Sequence, residues 1–146
     1  MFDKPFNRET STDTKYSTSL WFSLVRVHKK NITGTTQLLK GWNLTNAQMD
    51  IISRVAESGQ LSQQELADKL LVTKGNITQL LQKLEQMKLV KKEKDWKTNY
   101  ISLTEEGRKI YEQLTPVLEE FQTDYFQNLS IDEKKQLLNL IRKIES

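Results

Sequence analysis

Residues 61–104 hold two short helical patterns a tight turn apart, followed by a lysine-rich pair of strands, and that order leaves few folds open. Ser62, with Glu65 three residues on, predicts a capping box, in which each side chain serves a backbone N–H that the helix leaves unbonded. Leu66, Ala67 and Leu70 form the buried side of the short helix that follows. Thr73 begins the next helix. Its Ile77, Leu80, Leu81 and Leu84 recur at i, i+3, i+4 and i+7, the spacing of one core-facing stripe. Residues 89–94 and 99–103 read as strands joined by a turn at Asp95-Trp96-Lys97-Thr98. Helix, turn, helix and basic hairpin make a winged helix-turn-helix, a plan that can set one helix in a DNA groove with the hairpin beside it.

The face of the second helix opposite its stripe reads Lys74, Gly75, Asn76, Thr78, Gln79, Gln82 and Lys83. Amides, hydroxyls and lysines can bond to base edges and phosphates, whereas a carboxylate would be repelled by the phosphates. The expected major-groove residues are Thr73, Lys74, Asn76, Thr78 and Gln79, with Lys83 on the same face. Asn76 and Gln79 are the base-reading candidates, because a carboxamide pairs bidentately with adenine. Gly75 would allow close approach to the DNA backbone, and Ser62 and Gln63 would meet phosphate at a helix start. In the hairpin, Lys92, Lys94 and Lys97 are the expected phosphate contacts. Trp96 at the tip has two readings, packing on a sugar or bracing the hairpin, and bracing is the expectation.

Long helical patterns flank this module. A helix over 17–40 carries Leu20, Leu24, Ile32 and Leu38 or Leu39 near a period of 3.6, and Gly34 weakens its last turns. Thr45 with Gln48 is a second capping box, and Gly59 ends the helix it opens. Thr104 starts a long helix with Glu105 and Glu106 at its positive end, and Pro116 is expected to kink or divide it. Ser130 with Glu133 opens a last amphipathic helix. The chain thus divides into a loose arm at 1–16 and one domain at 17–146. The DNA-binding module spans 44–104, and helices at 17–42 and 108–146 serve dimerisation. Their apolar stripes exceed what the central module can cover, so a symmetric dimer is expected over a monomeric bundle.

Composition narrows the function classes. The 146 residues carry a net charge of +3 and no cysteine, which excludes disulfides and thiolate metal sites. Lys88, Lys91, Lys92, Lys94 and Lys97 form a local basic patch, either a docking face or a solvated hairpin. No apolar run approaches the roughly 20 residues of a membrane span, and no apolar signal core is present, so no membrane contact and a cytoplasmic location are expected. A lone histidine, His28, cannot build a multi-histidine metal site. No nucleophile–histidine–acid set or glycine-rich phosphate loop is visible, so neither enzyme nor cofactor is expected. The remaining alternatives are a nonspecific architectural DNA-binding protein and a winged helix that binds protein.

The chain resembles the MarR family of bacterial transcriptional regulators. The resemblance rests on Leu44-Thr45 with Gln48, Gln63-Gln64-Glu65-Leu66-Ala67, Val72-Thr73-Lys74-Gly75-Asn76-Ile77-Thr78, Leu84-Glu85, Leu89-Val90, Leu103-Thr104-Glu105-Glu106-Gly107-Arg108 and Leu129-Ser130 with Glu133. It implies a homodimer, double-stranded DNA with a pseudo-palindromic operator as partner, repression, and release by a small aromatic effector. One departure is in the wing, where the family's Asp-Arg-Arg motif is replaced by lysines, which lack arginine's planar fork. Trp21, Phe22, His28, Trp42 and Tyr111, with Phe121, are candidates for an effector pocket, and dimer core is the competing reading.

Overall fold

The computed structural model describes residues 8–70 and 74–146. Its elements are α1 (Thr12–Lys40), α2 (Asn46–Ser58), β1 (Leu61–Ser62), α3 (Gln63–Leu70), α4 (Lys74–Gln86), β2 (Val90–Asp95), β3 (Thr98–Leu103), α5 (Glu105–Tyr125) and α6 (Ile131–Glu145). The mainly helical class with a β wing is the one expected. Thr73 lies outside the described residues, and Lys74 and Gly75 are described by their backbone only.

Three local expectations are revised. The first helix begins at Thr12 rather than Ser17, because the Ser11 hydroxyl accepts from the Thr14 N–H at 3.1 Å and caps it. The supposed arm is therefore helical from Thr12 onward. The wing sheet has a third strand: Leu61 pairs with Ile101 and Ser62 with Tyr100, giving the order β1-β3-β2, antiparallel throughout. Two residues are too few to show alternation, yet they serve backbone groups on the free edge of β3. Of the kink or division expected at Pro116, division does not occur, since α5 runs unbroken from Glu105 to Tyr125. The proline removes the bond to the Glu112 carbonyl, but both residues are exposed and water can serve that oxygen.

One core holds the module. Ile51, Ile52 and Val55 of α2, Leu66 of α3, Ile77, Leu81 and Leu84 of α4, Ile101 of β3 and Leu114 of α5 are fully buried in a single cluster with Leu39 of α1. The Thr45–Gln48 capping box is complete, as is that of Ser130 and Glu133. α4 ends on Lys88 at φ 61, with Leu89 N–H bonded to the Leu84 carbonyl and Lys88 N–H to that of Glu85. This is a Schellman stop built without glycine.

The junction between α4, the wing and α5 turns on two side chains. Thr104 accepts from Gly107 N–H at 3.0 Å and donates to the Lys88 carbonyl at 2.6 Å. Its own N–H bonds to the Leu89 carbonyl at 3.1 Å. The Leu89 carbonyl oxygen sits where a Cβ on Gly107 would have to be, so only glycine lets α5 start this close. Further along, the Phe121 ring packs into the space above Gly34, which explains a glycine inside α1. Asn31 and Gln122 exchange amide bonds at 2.7 and 3.0 Å, and Tyr125 donates to the Val27 carbonyl at 3.0 Å. These contacts lock the C-terminal half of α1 to α5.

Gly107→Ala should lower unfolding stability by about 2 kcal/mol, as overpacking against backbone does. Gly41→Ala, where the nearest atom to an added Cβ is 3.6 Å away, should change it little. Urea unfolding of the two variants checks this, and equal stabilities would remove the junction from its assigned role.

Candidate nucleic-acid interface

Burial of Ile77, Leu81 and Leu84 turns the other side of α4 outward, and Asn76, Gln79, Gln82 and Lys83 are exposed there. Thr78 is half-buried and accepts from Gln63 Nε2 at 2.9 Å, which ties the start of α3 to α4. Gln63 Oε1 is buried without a hydrogen-bond partner among the described residues. Ser62, Gln63, Gln64 and Thr78 line a cleft of about 350 Å³ with Lys97, Thr98 and Asn99 of the wing. The fold thus joins Ser62, Gln63, Thr78 and Lys97 at one face. Gln64, Thr98 and Asn99 were not singled out from the sequence. For Thr98 and Asn99 the signal is their pairing with Asp95 and Lys94, which depends on strand register.

Individual roles differ from residue to residue. Ser62 is buried, and its hydroxyl accepts from Glu65 N–H at 3.0 Å, so it acts as the cap of α3 and a rung of β1. Lys92 pairs with Ile101 on the core-facing side of the hairpin, half-buried, with its Nζ 3.7 Å from Glu85. That carboxylate offsets part of its charge. Lys91 lies 3.7 Å from Glu93. Lys94 and Lys97 are exposed and have no carboxylate partner among the described residues. Trp96 does not brace the hairpin: it is 83% exposed, with Lys97 Nζ 5.0 Å from its ring centre.

The aromatic candidates do not converge within one chain. Trp21, Phe22 and His28 are exposed on α1, in or beside the stretch that runs past the Val27–Tyr125 contact. Trp42 packs against the core cluster. Tyr111 lines a groove with Ser53, Glu57, Thr115 and Leu118, between α2 and α5. The spread follows from the length of α1, which at 29 residues extends about 44 Å. Among the described residues no cluster of three or more His, Asp or Glu side chains could hold a metal, and no helix is long and apolar enough to cross a membrane.

A family model described as MarR family matches residues 42–95. An HTH-type transcriptional regulator from Bacillus cereus is 34% identical over 133 residues, covering 90% of each chain. The chain belongs to the MarR family. Solved structures share the fold. A mutant MarR from E. coli, complexed with operator DNA, superposes with a TM-score of 0.79 at 24% identity, covering 86% of this chain and 93% of that one. BpsR from Bordetella bronchiseptica, whose DNA binding is regulated by 6-hydroxynicotinic acid, gives 0.80 at 20% identity over 88% and 99%. The chain is a MarR-family DNA-binding transcriptional regulator and not an enzyme.

Ser62→Ala should cost about 1 kcal/mol of stability through the lost cap, while the DNA affinity of the folded protein stays nearly unchanged. Urea unfolding and a DNA titration check the two halves. A loss of affinity as large as that from removing Lys94 would put the hydroxyl on a phosphate instead.

Proposed function

We propose that this regulator is a homodimer that reads a pseudo-palindromic operator by sequence, represses the gene it overlaps, and is released by a small apolar or aromatic ligand. The observation that carries the reading is the outer face of α4, where Asn76, Gln79, Gln82 and Lys83 stand exposed with no acid among them. In the major groove, Asn76 and Gln79 pair with adenine edges and Lys83 meets phosphate. Gln63 holds Thr78 and so fixes the approach of α4. Lys94 and Lys97 neutralise phosphates beside the groove and set the salt dependence.

Dimerisation is supported by apolar surface left open at both ends of the chain. α6 buries no residue, and Leu137, Leu138, Leu140 and Ile144 are exposed along it. On α1, Tyr16, Leu20, Trp21, Phe22 and Val25 are exposed as well. Contiguous apolar faces of this kind mark an interface, and a two-fold partner would cover both. Two recognition helices must then sit roughly 34 Å apart, one turn of DNA. A ligand wedged in the groove beside Tyr111 would shift α5 against α2 and change that separation, as required for release. In this reading Trp21, Phe22 and His28 belong to the dimer contact.

Selection of bound duplexes from a random pool tests sequence reading: an enriched inverted repeat is expected, and no enrichment would leave a nonspecific DNA protein. On the selected repeat, Asn76→Ala or Gln79→Ala should relax preference at individual bases. Lys94→Ala should weaken all sequences alike and lower the salt slope by about 0.9. Equal losses on every DNA for all three would end the base-reading assignment. Leu140→Asp should shift the protein toward monomer in sedimentation equilibrium and weaken operator binding with it. A tight dimer carrying this change would move the interface away from α6.

A further inference from the structure

The groove between α2 and α5 joins an apolar wall to negative charge that nothing offsets. Its volume is about 600 Å³, within the range of small-molecule sites. Tyr111 and Leu118, both packed against the core cluster, make the apolar wall. Glu57 and Glu119 border it, and among the described residues no lysine, arginine or histidine lines it. Neither carboxylate has a cationic partner among the described residues. Glu57 stands in the last turn of α2, which holds no basic residue. The end carbonyls of a helix carry partial negative charge and favour a cation, so this carboxylate is opposed by its own helix. One further group is left over. Thr115 lines the groove, and its hydroxyl oxygen is buried without a hydrogen-bond partner among the described residues. The hydroxyls of Thr33 and Thr123 bond to the carbonyl four residues back, each at 2.9 Å. That of Thr115 does not, and an unmet buried hydroxyl costs stability.

We propose that this groove is the effector site and that it takes an organic cation, an ammonium on an apolar or aromatic body, in preference to an aromatic acid. This deepens the ligand-release reading above and rests on it. Two carboxylates on low-dielectric walls focus a negative potential, which draws in a cation and repels a carboxylate. The body packs on Leu118 and on the Tyr111 ring, whose face attracts a cation as well. The Thr115 hydroxyl can accept from the ammonium, which brings three donors. A bare metal ion fits less well. It would leave the apolar wall unused, and among the described residues no third acid or histidine joins the two carboxylates.

The probes are phenylbutylammonium, phenylbutanol and phenylbutyrate, which share one body and differ in charge. Amide chemical shifts of the full chain, followed through each titration, give affinity and location together. The ammonium should bind about three- to thirtyfold more tightly than the alcohol, the worth of two exposed ion pairs. Its largest shifts should fall in residues 53–57 and 111–123, and the butyrate should bind most weakly. Joint Glu57→Gln and Glu119→Gln changes should bring the ammonium down to the affinity of the alcohol while leaving the alcohol unchanged, which also shows an intact groove. Thr115→Val should unfold in urea no more readily than wild type, since it removes an unmet hydroxyl, and yet bind the ammonium more weakly. Equal affinity for the three probes, tighter binding of the butyrate, shifts confined to another part of the chain, or an ammonium preference that survives the double change would each overturn the assignment. Operator binding separates this site from the reading on which it rests. Ammonium bound in the groove with operator affinity unchanged would keep the cation site and end release through it. Release by phenylbutyrate without shifts around Glu57 and Glu119 would keep release by ligand and overturn the cation site.

Discussion

Burial of one face of α4 orients the polar surface that we propose reads DNA. Ile77, Leu81 and Leu84 have no exposure, and they sit in one cluster with Ile51, Ile52 and Val55 of α2 and Ile101 of the wing. Each fully buried aliphatic side chain stabilises by about 1.5–3 kcal/mol relative to exposure. Rotating α4 about its axis would expose that stripe and bury amides in its place. Asn76, Gln79 and Lys83 therefore point outward because of what lies behind them. A reading surface on a packed helix holds its geometry better than one on a loop, since the core resists small rotations.

The wing inherits its position from the same core through backbone contacts. Thr104 and Gly107 draw the start of α5 onto Lys88 and Leu89, at the point where α4 passes into β2. β1 then pins the opposite edge of the sheet next to the start of α3. The hairpin is thus held at its base on both sides while its tip stays solvated. Such an arrangement separates two tasks: the base carries stability, and the tip is free to carry Trp96 in a conformation that no packing rewards.

The ends of the chain follow a different logic. α1 is locked to α5 by the Asn31–Gln122 amide pair, the Tyr125 hydroxyl and the Phe121 ring over Gly34. Before Val27 the helix continues past these anchors, and α6 buries nothing. A monomer built this way leaves its longest apolar stripes in water, which is the physical case for a second copy.

Much of this was legible in the residue order. Helix periodicity, the Thr45–Gln48 and Ser130–Glu133 boxes, the α4 stripe and the hairpin are local patterns, because each is decided by neighbours within a turn or a rung. The polar outer face of α4 follows by subtraction once its stripe is known. What the sequence left open depends on distant partners. β1 exists because β3 has an edge to fill. Lys92 turns toward Glu85 because register pairs it with the buried Ile101. Ser62 is held inside by a strand that two residues could not announce, and Pro116 fits an unbroken helix because it faces water. The residue order is compatible with Trp96 as a brace, but the folded hairpin leaves its indole exposed. By itself the sequence determined the helices, their caps and the chemistry of the reading face, all set by short-range bonding and hydrophobic period. Tertiary structure alone decided which polar groups meet, since register and helix crossings arise from contacts between residues far apart in the chain.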